Sequence, residues 1–199
     1  YCRACGLTQT EGPRDYPGGS DYRTLSTEAG TVLFDAGDIG PPHLPAHSHN
    51  DHLSILLWID GDQILADTGV YDYGPNERRQ YARSVAAHNP AQYGTVEPAP
   101  IAGSYLMGKR TSVSVVDDDP GRITARYARR ALYGPSYEHR RTVTTTEPGW
   151  EVIDTLDQLD ALSGRPGALA GGQSETYTVR YHFHPTVGVS KSTDGGGTF

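Results

Sequence analysis

The sequence predicts an all-β protein, an antiparallel β-sandwich carrying one short helix. Three observations lead there. Short apolar or alternating segments, each about the length of a strand, recur along the chain. They are separated by turn residues: 24 glycines and 14 prolines make up about a fifth of the 199 residues, against a usual ~12%. Only one stretch repeats its apolar residues at helical spacing. An apolar share of 36% over this length is enough to build a core.

The elements follow in order. Residues 1–22 are polar and rich in Gly and Pro, and read as a tail or linker before a domain spanning 23–190. Thr31-Val32-Leu33-Phe34-Asp35 is the first strand. A Pro- and His-rich stretch from Gly40 to Asp51 leads into Leu53–Ile59, an apolar run short enough for a buried strand. Asp60-Gly61 marks a hairpin, and Ile64–Asp67 returns as its second arm. Asn76 to His88 is the helix: Asn76 can cap it, and Tyr81, Val85 and His88 recur at i, i+4 and i+7. Strands follow at Ser112–Asp117, Arg122–Arg129, Glu138–Thr146, Trp150–Leu156 and Thr176–His184. Residues 191–199 are Gly-rich and read as a flexible end.

Charge and hydropathy narrow the function. With 24 acidic against 17 basic residues the net charge is −7, which disfavours binding to a phosphate backbone. The longest apolar run, Leu53–Ile59, is far too short to span a membrane. The chain opens on Tyr1 with no signal-peptide pattern and closes on a Gly-rich run, so the expectation is a fragment of a longer protein. Cys2 and Cys5 form one Cys-x-x-Cys near the start, without the further ligands of a zinc site or the strand and helix of a redox motif. They read as incidental.

The chemistry concentrates in the histidines. Five of the eight, His43, His47, His49, His52 and His88, fall between positions 43 and 88. In an extended segment His47, His49 and Asp51 share one side, with neighbouring Cα atoms roughly 6–7 Å apart. The hairpin brings Asp67 back toward His49, and the helix can return His88 to the same patch. Two imidazoles and a carboxylate suit Zn²⁺ with an open fourth position. A set of hydrogen-bonded histidines in a Pro-rich loop is the plainer alternative.

Four blocks carry a resemblance. His47-Ser48-His49-Asn50-Asp51-His52-Leu53-Ser54, Leu57-Trp58-Ile59-Asp60-Gly61, Ala66-Asp67-Thr68-Gly69-Val70-Tyr71-Asp72-Tyr73 and Tyr81-Ala82-Arg83-Ser84-Val85-Ala86-Ala87-His88-Asn89 together resemble the C-terminal sandwich domain of heparinase II/III-like polysaccharide lyases. The match is densest over 45–95. The resemblance implies that His47 is catalytic and that His49, Asp67 and His88 bind a structural zinc. Pro90 departs from the family pattern, since proline cannot donate to a sheet ladder, and so questions the path just after His88.

The resemblance also implies an N-terminal α/α toroid in the same protein, supplying a catalytic Tyr and Asn; nothing in this sequence has its long amphipathic helices. The chain would therefore hold part of an active site and be inactive alone. The implied reaction is β-elimination on an acidic, uronate-containing polysaccharide such as a glycosaminoglycan or alginate. A base removes the proton beside the carboxylate, an acid protonates the leaving oxygen, and the carboxylate's charge is neutralised. Where such polymers occur, the setting is periplasmic or extracellular. Tyr73 and Arg83 are candidate substrate contacts, and Tyr71 a lesser one. Asp51 is a candidate orienting partner for a histidine, and His182 and His184 face solvent or a groove. Two other classes compete: a non-catalytic carbohydrate-binding or structural sandwich, and a cupin-like metal domain. Gly40, His47, His49 and Gly61 imitate cupin spacing, but Leu53 and Ser54 stand where a cupin needs its Glu.

Overall fold

The computed structural model describes residues 21–41, 43–130, 134–159 and 176–189. Cys2, Cys5, residues 1–20 of the expected tail and the expected flexible end lie outside them. The first four strands are β1 (Tyr22–Thr27), β2 (Gly30–Asp35), β3 (Ile55–Ile59) and β4 (Asp62–Leu65), paired antiparallel in that order. Helix α1 (Glu77–Arg83) follows, then β5 (Ala91–Tyr93) and a small hairpin of β6 (Ile101–Ala102) and β7 (Leu106–Met107). The second sheet is built from β8 (Val113–Asp119), β9 (Arg122–Arg129), β10 (Ser136–Thr145) and β11 (Trp150–Leu159), in the order β11-β10-β9-β8. Last comes β12 (Tyr177–Val179), antiparallel to β5.

The two four-stranded sheets share one core, because alternate residues of each point inward. Leu25, Val32, Phe34, Ile55 and Leu65 from the first sheet meet Ile123, Ala125, Tyr127, Tyr137 and Val143 from the second. The all-β architecture with one short helix is as the sequence predicts. The Asp60-Gly61 turn also forms, with both residues at positive φ (51° and 87°), the geometry of a tight hairpin.

Three local readings need correction. Strand β1 has no counterpart among the expected strands, and only its first residue lies within the expected tail. Its residues are Tyr-Arg-Thr-Leu-Ser-Thr, and of these only Leu25 is buried, so the alternation is nearly silent. Full pairing with β2, from Tyr22↔Asp35 to Thr27↔Gly30, makes it a strand all the same. The Thr176–His184 segment is not one strand. It pairs with β5 as far as Val179, then crosses to the edge of β4, where the Ala66 amide donates to the His182 carbonyl and Phe183 bridges Leu65. Pro90 disturbs nothing, because it lies immediately before β5 and takes no ladder position.

The helix is shorter than its periodicity suggests. Its α-helical part ends at Arg83; Ser84 is extended, and Val85–Ala87 form a separate 3₁₀ turn. Asn76 caps the start as expected, its side chain accepting from the Arg79 amide at 2.9 Å. Replacing Asn76 by Ala is expected to cost about 1 kcal/mol. Urea unfolding checks this, with Asn76→Asp retaining most of the stability.

The inner face of β10 is not wholly apolar. Between Tyr137 and Val143 it buries His139 and Arg141 completely. Arg141 stands opposite Asp154 of β11 and donates to both carboxylate oxygens at 2.8 Å. His139 Nε2 lies 2.7 Å from the same carboxylate. The guanidinium also donates across the sandwich, to the carbonyls of Leu53 at 2.7 Å and Asn89 at 2.6 Å. Leu53 is held at φ 62°, a conformation that a leucine keeps only when its surroundings impose it. The second sheet thus grips both loops that carry the histidines.

Candidate metal centre and the exposed histidine beside it

Four segments converge at the mouth of the first sheet: the loop before β3, the residues after β4, helix α1, and the extended stretch after the 3₁₀ turn. Each is fixed by side chains bonded to main chain. Asn50 receives the Ala99 amide at 2.9 Å and donates to the Ala99 carbonyl at 2.9 Å and to Glu97 at 2.6 Å. Asn89 donates to the carbonyls of Ile55 and Ala66, both at 2.9 Å, and its oxygen receives the His182 amide at 2.7 Å. Buried amide groups with every partner in place lock a loop into one geometry. This accounts for the Asn that follows His88, and it places His182 as a structural partner of that loop.

The positioned side chains form a His/Asp cluster. One donor atom each from His49, Asp51 and His88 lie within 4.8 Å of one another. The rings of His49 and His88 are 5.3 Å apart between centroids. Asp67 joins through His88: its Oδ2 is 2.6 Å from His88 Nδ1, while its Oδ1 accepts the Gly69 amide at 2.7 Å. Gly69 sits at φ 63° to make that turn, the conformational reason for the glycine in Asp-Thr-Gly. Of the three positions expected to converge, 49 and 88 meet together with Asp51, and Asp67 reaches the group only through its contact with His88. As expected for i and i+2 in extended chain, His49 and Asp51 reach the same place.

His47 departs from that alternation. Pro45–His47 form a 3₁₀ turn, so His47 is turned out to solvent while His49 is buried. Its Nδ1 lies 3.1 Å from the Tyr73 hydroxyl, the rings meeting edge-on at 5.3 Å. Between the two histidines stands Arg79. The guanidinium packs over the Tyr73 ring at 4.9 Å, and reaches His49 Nε2 at 3.2 Å and the Ala46 carbonyl. The sequence reading took Arg79 only as a helix former. Its place one turn inside the Asn76 cap, on the face leading to Ala82 and Arg83, was the available signal.

Arg83, a candidate substrate contact by sequence, lies inside the domain. It is completely buried, and its guanidinium donates to the carbonyls of Ser48 (3.0 Å), Gly103 (2.8 Å) and Pro45 (2.9 Å). Each guanidinium nitrogen thus donates to a main-chain carbonyl, so the side chain braces the histidine loop from inside the domain. Tyr71 and Tyr73 are exposed, and Arg78 donates to the Tyr71 hydroxyl at 2.6 Å.

Electrostatics follow from burial and neighbours. Burial, the charge on His88 and that on Arg79 push the His49 imidazolium down to about 4, so His49 is a neutral ring with a lone pair to give. Burial disfavours a charged His88, but the Asp67 hydrogen bond and charge outweigh it and raise its pKa. Burial raises the Asp51 carboxyl. Asp67 moves the other way: burial pushes it up, and the His88 hydrogen bond and charge bring it below its ordinary value. Asp51 and Asp67 also line a cavity of about 220 Å³, with Tyr22, Asp35 and Ser54.

The donor set fits a zinc ion. Imidazole with carboxylate oxygen is a zinc-type combination, and one donor atom each of His49, Asp51 and His88 lies within 4.8 Å of the others, close enough to meet on one ion.

Fold and site together define a two-layer β-domain with, at its edge, a His/Asp cluster whose donor atoms could hold a metal ion, and an exposed histidine alongside. A family model described as "Heparinase II/III-like, C-terminal" matches residues 10–199. The chain belongs to that family, which takes the place of the cupin resemblance. Among solved structures it is similar to a heparinase III gene product with methylated lysines, at 17% identity and a TM-score of 0.55. The match covers 80% of this chain and 24% of that one, so the chain spans about a quarter of that protein's length. No curated protein matches.

Proposed function

We propose that this chain is the metal-stabilised C-terminal domain of a polysaccharide lyase that cleaves a uronate-containing polysaccharide by β-elimination. The observation that carries the reading is the pairing of one exposed imidazole, His47, with two buried histidines and the aspartates beside them, in a chain whose family model covers nearly its whole length. His49, Asp67 and His88 hold the ion. Zinc, when bound, supplies a fixed positive charge that ties the loops together and disfavours protonation of nearby imidazoles.

The chain's own residues divide the work. His47 presents an imidazole to the polymer, as base for the proton beside the carboxylate or as the carboxylate's hydrogen-bond partner. Tyr73, its hydroxyl 3.1 Å from His47 Nδ1, orients the imidazole and offers an aromatic surface to a sugar. Arg79 braces Tyr73 from below and keeps His49 in place. A catalytic Tyr and Asn come from an N-terminal α/α toroid of the same protein. The products carry a 4,5-unsaturated uronate, which absorbs in the ultraviolet.

The full-length protein is expected to generate that absorbance from an acidic polysaccharide, and to hold about one zinc per chain by elemental analysis. This chain alone is expected to give no product. Turnover by the isolated chain would show that the reacting groups have been misplaced. A full-length protein that binds acidic polysaccharides but never cleaves them would favour the carbohydrate-binding alternative.

A further inference from the structure

We propose that the groove between Tyr71 and the outer face of helix α1 is a second sugar subsite, which holds one uronate unit of the polymer away from the cleaved bond. This rests on the lyase reading above and deepens it, by naming where the charge of the substrate is met.

The geometry repeats itself. Arg79 packs over the Tyr73 ring at 4.9 Å, and one residue earlier on the helix Arg78 packs over the Tyr71 ring at the same distance. The inner pair is already engaged: Arg79 is completely buried, and the Tyr73 hydroxyl meets His47. The outer pair stands open. Arg78 is exposed, Tyr71 is 57% exposed, and Tyr81, three residues further along the helix, is 50% exposed. With Thr68 and Glu77 they line a groove of about 520 Å³, within the ~300–1,000 Å³ of small-molecule sites. Tyr71 and Tyr73 are two residues apart, so their Cα atoms are separated by about 7 Å at most. A polymer seated at His47 therefore reaches the groove with a nearby unit.

Charge selects the ligand. The chain has a net charge of −7, so an acidic polymer is repelled unless a local cation meets it. Helix α1 supplies three arginines, and two are buried: Arg79 against His49, and Arg83 on three main-chain carbonyls. Arg78 is the exposed one. Among the described residues no carboxylate pairs with it, and its hydrogen bond to the Tyr71 hydroxyl, at 2.6 Å, engages Nη1. Nε and Nη2 are left to grip a carboxylate through two parallel hydrogen bonds. The two tyrosine rings offer flat apolar faces to the C–H groups of a sugar ring. Glu77 carries the opposite charge on the same wall, so the uronate carboxylate lies on the Arg78 side and sugar hydroxyls face Glu77.

The test compares full-length proteins on oligosaccharides of increasing length, cut from an acidic polysaccharide that the unmutated protein cleaves, with product followed in the ultraviolet. Arg78→Gln is expected to raise KM for long oligomers about tenfold, the worth of a hydrogen bond to a charged group, with kcat changed much less. The penalty is expected to shrink as the oligomers become too short to reach the groove, and Arg78→Lys to recover part of the loss. Carboxyl-reduced polysaccharide, added as a competitive inhibitor, is expected to bind more weakly to Tyr71→Ala but not to Arg78→Gln, because only the rings touch an uncharged sugar. An Arg78→Gln protein with unaltered KM, a penalty independent of oligomer length, or an equal loss for the carboxyl-reduced inhibitor would overturn the subsite and leave the lyase reading standing. An unmutated protein that cleaves no acidic polysaccharide would overturn that reading, and the subsite with it.

Discussion

Replacing His47 by Ala in the full-length protein is expected to lower turnover by about 10²–10⁴-fold, the range that a positioned proton-transfer group supplies, while zinc content and thermal stability stay as they were. The separation follows from position. His47 is exposed at the end of a 3₁₀ turn and, among the described residues, its side chain bonds the Tyr73 hydroxyl alone, whereas the His/Asp cluster lies beyond Arg79. Removing the exposed ring therefore takes away chemistry without a buried contact. Tyr73→Phe is expected to have a smaller effect of the same kind, about tenfold, because it deletes one hydrogen bond to a ring that remains. Ultraviolet product assays beside elemental analysis measure both. An active His47→Ala enzyme would sink the role proposed for this residue, and a zinc-free one would show that His47 belongs to the metal cluster.

The largest stability loss is expected at Arg141. Arg141→Ala leaves the Asp154 carboxylate buried without its cation, and strips the Leu53 and Asn89 carbonyls of their donor. Breaking a buried pair from one side costs about 3–5 kcal/mol, a large share of the ~5–15 kcal/mol that holds a domain together. Arg141→Lys keeps the charge but lacks the planar fork that serves two oxygens and two carbonyls, so an intermediate loss is expected. Asp154 adds a pH signature. Burial pushes its carboxyl up, but the His139 hydrogen bond and the Arg141 charge outweigh it and hold the group well below the usual carboxylate range. A depressed carboxyl stabilises the fold above its unfolded value of 3.8, and that contribution is lost as the pH falls below it. Asp154→Asn is therefore expected to be less stable than the natural chain near neutrality, and to lose less further stability between about pH 4 and pH 2. Urea midpoints across that range measure it. Equal acid sensitivity in both proteins would place the acid-labile group elsewhere.

Loss of Arg141 is also expected to weaken metal binding, although it touches no proposed ligand. Its two carbonyl partners belong to the loops that carry Asp51 and His88, so the second sheet sets how precisely those side chains meet. The network of Asn50 and Asn89 does the same from within the first layer. Preorganised ligands bind a metal without first paying to order themselves, and buried polar side chains are how this domain achieves it.

What the sequence determined by itself was whatever is written locally. Strands with a period-two pattern, such as Arg122–Arg129, are found where alternation placed them, because a half-buried sheet face demands that pattern. The Asp60-Gly61 turn and the Asn76 cap follow from backbone preferences of single residues. The His/Asp cluster was legible because its members lie in short blocks with recognisable spacing. Only the tertiary structure decided the rest. Strand β1 has almost no apolar alternation and exists because β2 offers it a full ladder. Two arginines of similar sequence context, Arg79 and Arg83, diverge: one reaches His49, and the other is spent on three carbonyls. His47 leaves the face that His49 and Asp51 share, through a turn that no periodicity announces. Helical and strand periods record which side of an element is buried. They carry no record of which distant main-chain group a long polar side chain will meet, since that is settled by the packing of one layer on the other.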